Sequence, residues 1–168
     1  MTKAISRLVE ILEQEARLYG ELTVLLEKER EAIRALDMSR LEEQLGAKAI
    51  LIGRIQKLEI ERGSLAATIG REQGIAGGAE FRLLDLVRRA PAPWAGRIME
   101  VRLQLREAVE RANEHNEGNR FLAEGLLGTM NGIMEHLKEI ISGPSVYGRG
   151  GRKGAPSKAP GDFLRQAI

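Results

Sequence analysis

His115 and His136 are the residues best able to move a proton near neutral pH, and nothing around them makes a catalytic set. They stand 21 residues apart and form no HxxxH or ExxH pair. The chain has no GxSxG elbow, no phosphate-binding GxxxxGK and no cysteine. Nucleophilic catalysis, thiolate metal sites and disulfides are therefore not expected. Both histidines read as structural, and neither an enzyme activity nor a metal or cofactor is expected. A different chemistry is offered by Asn113, Asn116 and Asn119, an amide at every third residue with Gly118 beside the last. An amide donates and accepts at once. Such a row either forms a buried polar layer that fixes helix register or faces the backbone of a partner.

A long helix must carry these amides. Trp94, Ile98, Val101, Leu105, Ala108, Ala112, His115, Asn119, Leu122, Leu126, Thr129, Ile133, His136 and Ile140 alternate spacings of four and three without a slip. That spacing predicts one helix over 93–142, opened by Pro93 in its first turn and closed by Gly143-Pro144. Its second half is unusual. Phe121, Leu122, Leu126, Leu127, Met130, Ile133, Met134 and Leu137 present more apolar surface than one seam needs. Gly118, Gly125 and Gly132 recur every seven residues, with Gly128 nearby. Four interior glycines cost a helix roughly 3–4 kcal/mol, and methionines adapt to varied partners. One reading is a closely packed core helix. The other is an adhesive, deformable groove that takes a helical segment from another protein.

The remaining chain predicts an all-α fold. Ile5, Leu8, Leu12, Glu15, Tyr19, Leu22, Leu26, Glu29, Ile33 and Leu36 make a helix over 3–36 with a stripe broad enough for a bundle. Asp37 or Ser39 can cap a second helix over 40–69, which returns as an antiparallel partner. Leu41, Leu45, Leu51, Ile55, Leu58, Leu65 and Ile69 supply its inner face. Residues 70–78 read as a loop, and a short helix follows over 80–90 through Phe81, Leu84 and Val87. The expected architecture is an elongated antiparallel hairpin or bundle of three long helices plus one short helix. It forms a domain over 1–142, followed by a flexible, basic Gly/Pro-rich tail over 143–168.

Charge is unevenly placed. The net charge is +2, yet residues 143–168 hold five basic residues against Asp162, which leaves the body at −2. One RGGR at Arg149–Arg152 does not make a nucleic-acid binder, and no nucleic acid is expected as a partner. The opening MTKAISRLVEILEQ is not of signal-peptide type and no stretch reaches membrane-spanning length, so a soluble protein of a reducing compartment is expected. Phe163, Leu164, Ala167 and Ile168 share a face if the terminus turns helical, which would let it fold back on the apolar part of the last helix.

Two stretches resemble the FlgN family of flagellar type III export chaperones. ANEHNEGNRFL resembles the family's Leu-Asn-x-x-Asn-x-x-Leu-Leu, with Asn113 and Asn116 as the amide pair and Phe121-Leu122 as the apolar pair, displaced by Gly118-Asn119-Arg120. Val146-Tyr147-Gly148-Arg149-Gly150-Gly151 is similar to the family's Tyr-Gly-x-x-Gly. The last helix is richer in glycine and the tail longer than the family pattern. The resemblance implies a cytoplasmic, non-enzymatic chaperone with no cofactor and no small-molecule substrate. Its partners would be the C-terminal helical segments of the hook–filament junction proteins FlgK and FlgL. Those would lie against Asn113, Asn116, Asn119, Phe121, Leu122, Leu126, Met130, Ile133, Met134 and Leu137. Tyr147 and Gly148 would dock on the cytoplasmic domain of the export gate. Self-association stays open, and a coiled-coil scaffold without substrate preference is the alternative.

Overall fold

The stripe of the first helix folds as its spacing predicts. In a computed structural model that describes residues 2–72, 74 and 83–142, α1 spans Thr2–Ala35. Ile5, Leu8, Leu12, Leu22, Leu26 and Ile33 are buried, and so are the two acidic members of the stripe, Glu15 and Glu29. Leu36 ends α1 in a left-handed conformation, with φ at 53°. The Asp37 amide donates to the Ala32 carbonyl at 3.0 Å and the Leu36 amide to that of Ile33 at 3.1 Å. This is the double bond of a Schellman ending, whose left-handed position glycine usually takes. A leucine there costs roughly 1–2 kcal/mol.

Asp37, not Ser39, caps the second helix. Its Oδ1 accepts from the Arg40 amide at 3.0 Å, and α2 spans Met38–Glu72. The helix thus starts before Arg40 and runs past Ile69 to include Gly70, which the composition placed in a loop. The short helix α3 spans only Leu83–Val87, and Phe81 lies outside the described residues. Leu86 is buried and Val87 packs beside it, while the side chain expected inside at Leu84 lies outside what is described. The last helix, α4, spans Ala92–Ser142 with Pro93 in its first turn.

The chain divides into two units, Met1–Gly125 and Leu126–Ile168. The first unit holds two apolar clusters. Ile5, Leu8, Val9 and Leu12 of α1 meet Ile69 of α2, Leu86 of α3, and Ile98 and Val101 of α4. Further along, Leu22 and Leu26 meet Leu51, Ile55 and Ala112. Both clusters join α1 to α2 and α4, and together they exclude water along the α1 stripe. In the second unit, residues 126–142 are described, and the last turns of α4 run through them. The expected tail over 143–168, with Tyr147 and Gly148, lies outside the described residues. The described residues fold as an all-α structure of long helices.

Candidate functional site

Two polar layers interrupt the apolar stripe of the first unit. At the first, Arg62 of α2 places Nε 3.0 Å from Oε1 and 2.9 Å from Oε2 of Glu15. Burial pushes the Glu15 carboxyl above its usual range, and the neighbouring Arg62 only partly offsets that. Nearby, the Tyr19 hydroxyl donates to Glu59 Oε1 at 3.1 Å. Burial, and then the Glu59 charge, push Tyr19 up to about 12.

The second layer contains the amide row. Asn119 is only 3% exposed. Its Nδ2 donates to the Leu26 carbonyl at 2.7 Å and to Glu29 Oε2 at 3.0 Å, while its Oδ1 accepts from Arg30 Nε at 2.9 Å. Lys48 of α2 donates to both Glu29 oxygens, at 3.2 and 3.1 Å, and to Asn116 Oδ1 at 2.8 Å. Arg30 also donates to the His115 carbonyl at 3.3 Å. Every polar group of the Asn119 side chain is thus engaged within the first unit, as a buried polar layer demands. Of the two readings of the amide row, the Asn119 side chain fits the buried polar layer, which ties α1 to α4. Asn113 and Asn116 are exposed, the latter bonded to Lys48.

Gly118 has a local reason. A Cβ there would stand 2.5 Å from an Arg30 guanidinium nitrogen. The absent side chain makes room for an arginine, not for a foreign backbone. His115, half-buried, has Nε2 4.0 Å from Glu27 Oε1, and His136 has Nδ1 3.6 Å from Glu139. His136 is exposed, and the buried Nδ1 of His115 meets no hydrogen-bond partner among the described residues. The sequence missed Arg30, Lys48 and Arg62. Their signal was indirect: carboxylates at the stripe positions Glu15 and Glu29 require cationic partners on facing helices. An apolar cleft beside Asn116 and Asn119 was also missed, lined by Ile33, Leu41, Leu45 and Ala123.

The apolar candidates divide between the units. In the first, Phe121 is 79% exposed and Leu122 is half-buried. In the second, Leu126 is half-buried, and Met130, Ile133, Met134 and Leu137 are exposed. At ~100° per residue these last five fall within an arc of about 100°. Leu127, Ile140 and Ile141, also exposed, widen it to about 140°. Gly128 and Gly132 turn to the opposite side of the helix, so the glycines do not line the apolar stripe as a row. A stripe this wide ordinarily faces a core. Among the described residues of the second unit no side chain is buried.

No described helix is long and apolar enough to cross a membrane. No curated protein and no solved structure matches the chain. A family model does, described as FlgN protein and matched over residues 1–154. That span takes in the amide row and the exposed stripe, together with Tyr147 and Gly148, and the chain belongs to the FlgN family, whose members serve as chaperones of flagellar export.

Proposed function

We propose that this chain is a cytoplasmic chaperone for the hook–filament junction proteins of the FlgK and FlgL type. It holds their C-terminal helical segments on the stripe formed by Leu126, Met130, Ile133, Met134 and Leu137, and hands them to the cytoplasmic domain of the export gate. The observation that carries this reading is the exposure of that stripe in a member of an export-chaperone family. An amphipathic segment laid on it would bury the apolar face by which such termini join one another. Asn113 and Phe121, exposed on the first unit, are contacts of their own for such a guest. Asn119 is withdrawn from the binding set because its side chain is consumed internally. Tyr147 and Gly148, outside the described residues, are assigned to the gate.

Magnitudes set what the stripe alone achieves. Eight partly exposed side chains, from Leu126 to Ile141, each gain about 1 kcal/mol when covered. That gross gain of about 8 kcal/mol lies within the ~4–15 kcal/mol that association costs. Tight binding therefore needs a guest whose own apolar face is covered in return.

The test is co-expression with the C-terminal segment of a FlgK-type protein, followed by size-exclusion chromatography and circular dichroism. A stoichiometric complex with added helicity is expected, weakened at least tenfold by Met130→Asp or Ile133→Asp. Self-association through the same stripe with no preference for the junction segment would make the chain a scaffold and overturn the reading. For the gate, Tyr147→Ala should abolish pull-down of the gate domain. Unchanged pull-down removes that assignment.

A further inference from the structure

The second unit leaves a wide apolar stripe in water and then continues for 26 residues beyond Ser142. Soluble chains rarely leave such a face bare. The continuation ends on Asp162-Phe163-Leu164-Arg165-Gln166-Ala167-Ile168, where Phe163, Leu164, Ala167 and Ile168 stand at the spacing of one helical face. We infer that this C-terminal segment is an intramolecular occupant of the Leu126–Ile141 stripe, competing with the guest. The inference rests on the function proposed above and adds its regulation.

Three observations favour the chain's own end over other occupants. The first is reach. Nineteen residues separate Ser142 from Asp162, and a glycine-rich connection of that length has a root-mean-square span of about 24 Å. The stripe is itself ~22 Å long at 1.5 Å per residue. The connection therefore reaches any part of the stripe, at a local concentration on the order of 1 mM. The second is charge. Residues 143–168 carry +4, whereas 126–142 hold Glu135 and Glu139 against Lys138. The last turn of α4 contains no basic residue, and cations are favoured beside a helix C-terminus. The third is size. Four apolar side chains can cover part of a stripe that exposes seven large ones, so the occupant stays displaceable.

The expected effect follows from the local concentration. A segment with an intrinsic dissociation constant of roughly 0.1–1 mM would occupy the stripe between half and nine-tenths of the time. Guest affinity would then be lowered about 2- to 10-fold.

Methionine methyl resonances test this without any guest. Met130 and Met134 report the stripe, while Met38 and Met99 lie on the first unit and serve as controls. Chains ending at residue 160, and full chains carrying Phe163→Ser with Leu164→Ser, should shift Met130 and Met134 relative to the intact protein and leave Met38 and Met99 in place. A synthetic FlgK-type C-terminal peptide should bind the shortened chain 2- to 10-fold more tightly. Unmoved Met130 and Met134 signals overturn the inference, as does peptide affinity that is unchanged or reduced. So do shifts that follow protein concentration, which would mean a second copy on the stripe. Binding of the peptide to neither chain would overturn the proposed function instead, and the methyl signals would still decide the intramolecular contact.

Discussion

Ile98 and Ile133 belong to the same helix and the same four-three seam, yet one is 0% exposed and the other 56%. Between them the seam crosses from the first unit to the second. Up to Asn119 its members meet side chains of α1 and α2; from Thr129 onward they are exposed. Apolar periodicity therefore records that a face is made to be covered. It does not record whether the cover belongs to the same chain. In the first unit the cover is α1 and α2. In a family of export chaperones, the bare face of the second is suited to a cover that comes and goes.

That contrast is most exposed by one substitution made twice. Ile98→Ala should destabilise the protein by about 2–5 kcal/mol, as large-to-small changes in a sealed core do. Ile133→Ala, made in the chain ending at residue 160 so that the C-terminal segment cannot cover the stripe, should stay within about 0.5 kcal/mol. Urea unfolding of the two variants measures both. Equal losses would mean that Ile133 is sealed even without the C-terminal segment and would remove the contrast.

The next largest effect concerns the polar layer itself. Asn119→Ala leaves Arg30 and Glu29 without a shared partner inside the first unit, which should cost about 1–3 kcal/mol. Asn113→Ala, at an exposed position, should change stability by less than about 0.5 kcal/mol. If Asn113→Ala weakens guest binding while Asn119→Ala acts only through stability, the amide row divides into one contact residue and one structural residue.

Glu15 gives the comparison a pH axis. Its carboxyl is raised by burial, so the folded protein holds this proton more tightly than the unfolded chain does. The associated stability is fully present below the ordinary glutamate pKa and is lost as pH rises through the raised folded value. Glu15→Gln should remove that component, so its stability relative to the parent should improve as pH rises from acid towards neutrality. Denaturant midpoints across pH 4–7 provide the check, and parallel curves for parent and variant would refute the assignment. No such component arises from the apolar side chains of the second-unit stripe.

Much of this was legible in the sequence, and the failures have physical causes. The α1 stripe was legible from Ile5 to Ile33, including its two carboxylates, because 3.6-residue periodicity is a local property; Leu36, expected on it, is exposed because the helix ends at Ala35. Their partners were not legible. Arg62, Lys48 and Arg30 sit at positions that look solvent-facing, and long cationic side chains reach buried acids from the rim. Leu45 was expected inside and is exposed, because α2 leaves an open cleft with Ile33 and Ala123 where a closed core was expected. The five residues of α3 are too few to show a period, so Leu86 was passed over. The α4 seam is buried or half-buried from Trp94 to Leu126, whereas Thr129, Ile133, His136 and Ile140 are exposed, because no spacing says what lies against it.

The smallest effect separates two glycines that the sequence set in one row. Gly132→Ala meets nothing within 4 Å, so the only change is intrinsic. Alanine favours the helix by about 1 kcal/mol over glycine, and the helicity of the 126–142 segment should rise. Gly118→Ala brings the same intrinsic gain but drives a Cβ to 2.5 Å from the Arg30 guanidinium. The arginine must swing away, losing its bonds to Asn119 and the His115 carbonyl, each worth roughly 1 kcal/mol. Gly118→Ala should therefore be neutral or destabilising where Gly132→Ala is stabilising. Combining Gly118→Ala with Arg30→Ala should recover the helix gain, because the obstacle has gone. Hydrogen exchange of amides around each site resolves the two. A loss at Gly132 as large as at Gly118 would mean that something packs against the glycine side of the second-unit helix, the side opposite the apolar stripe, and the difference between the two glycines would be gone.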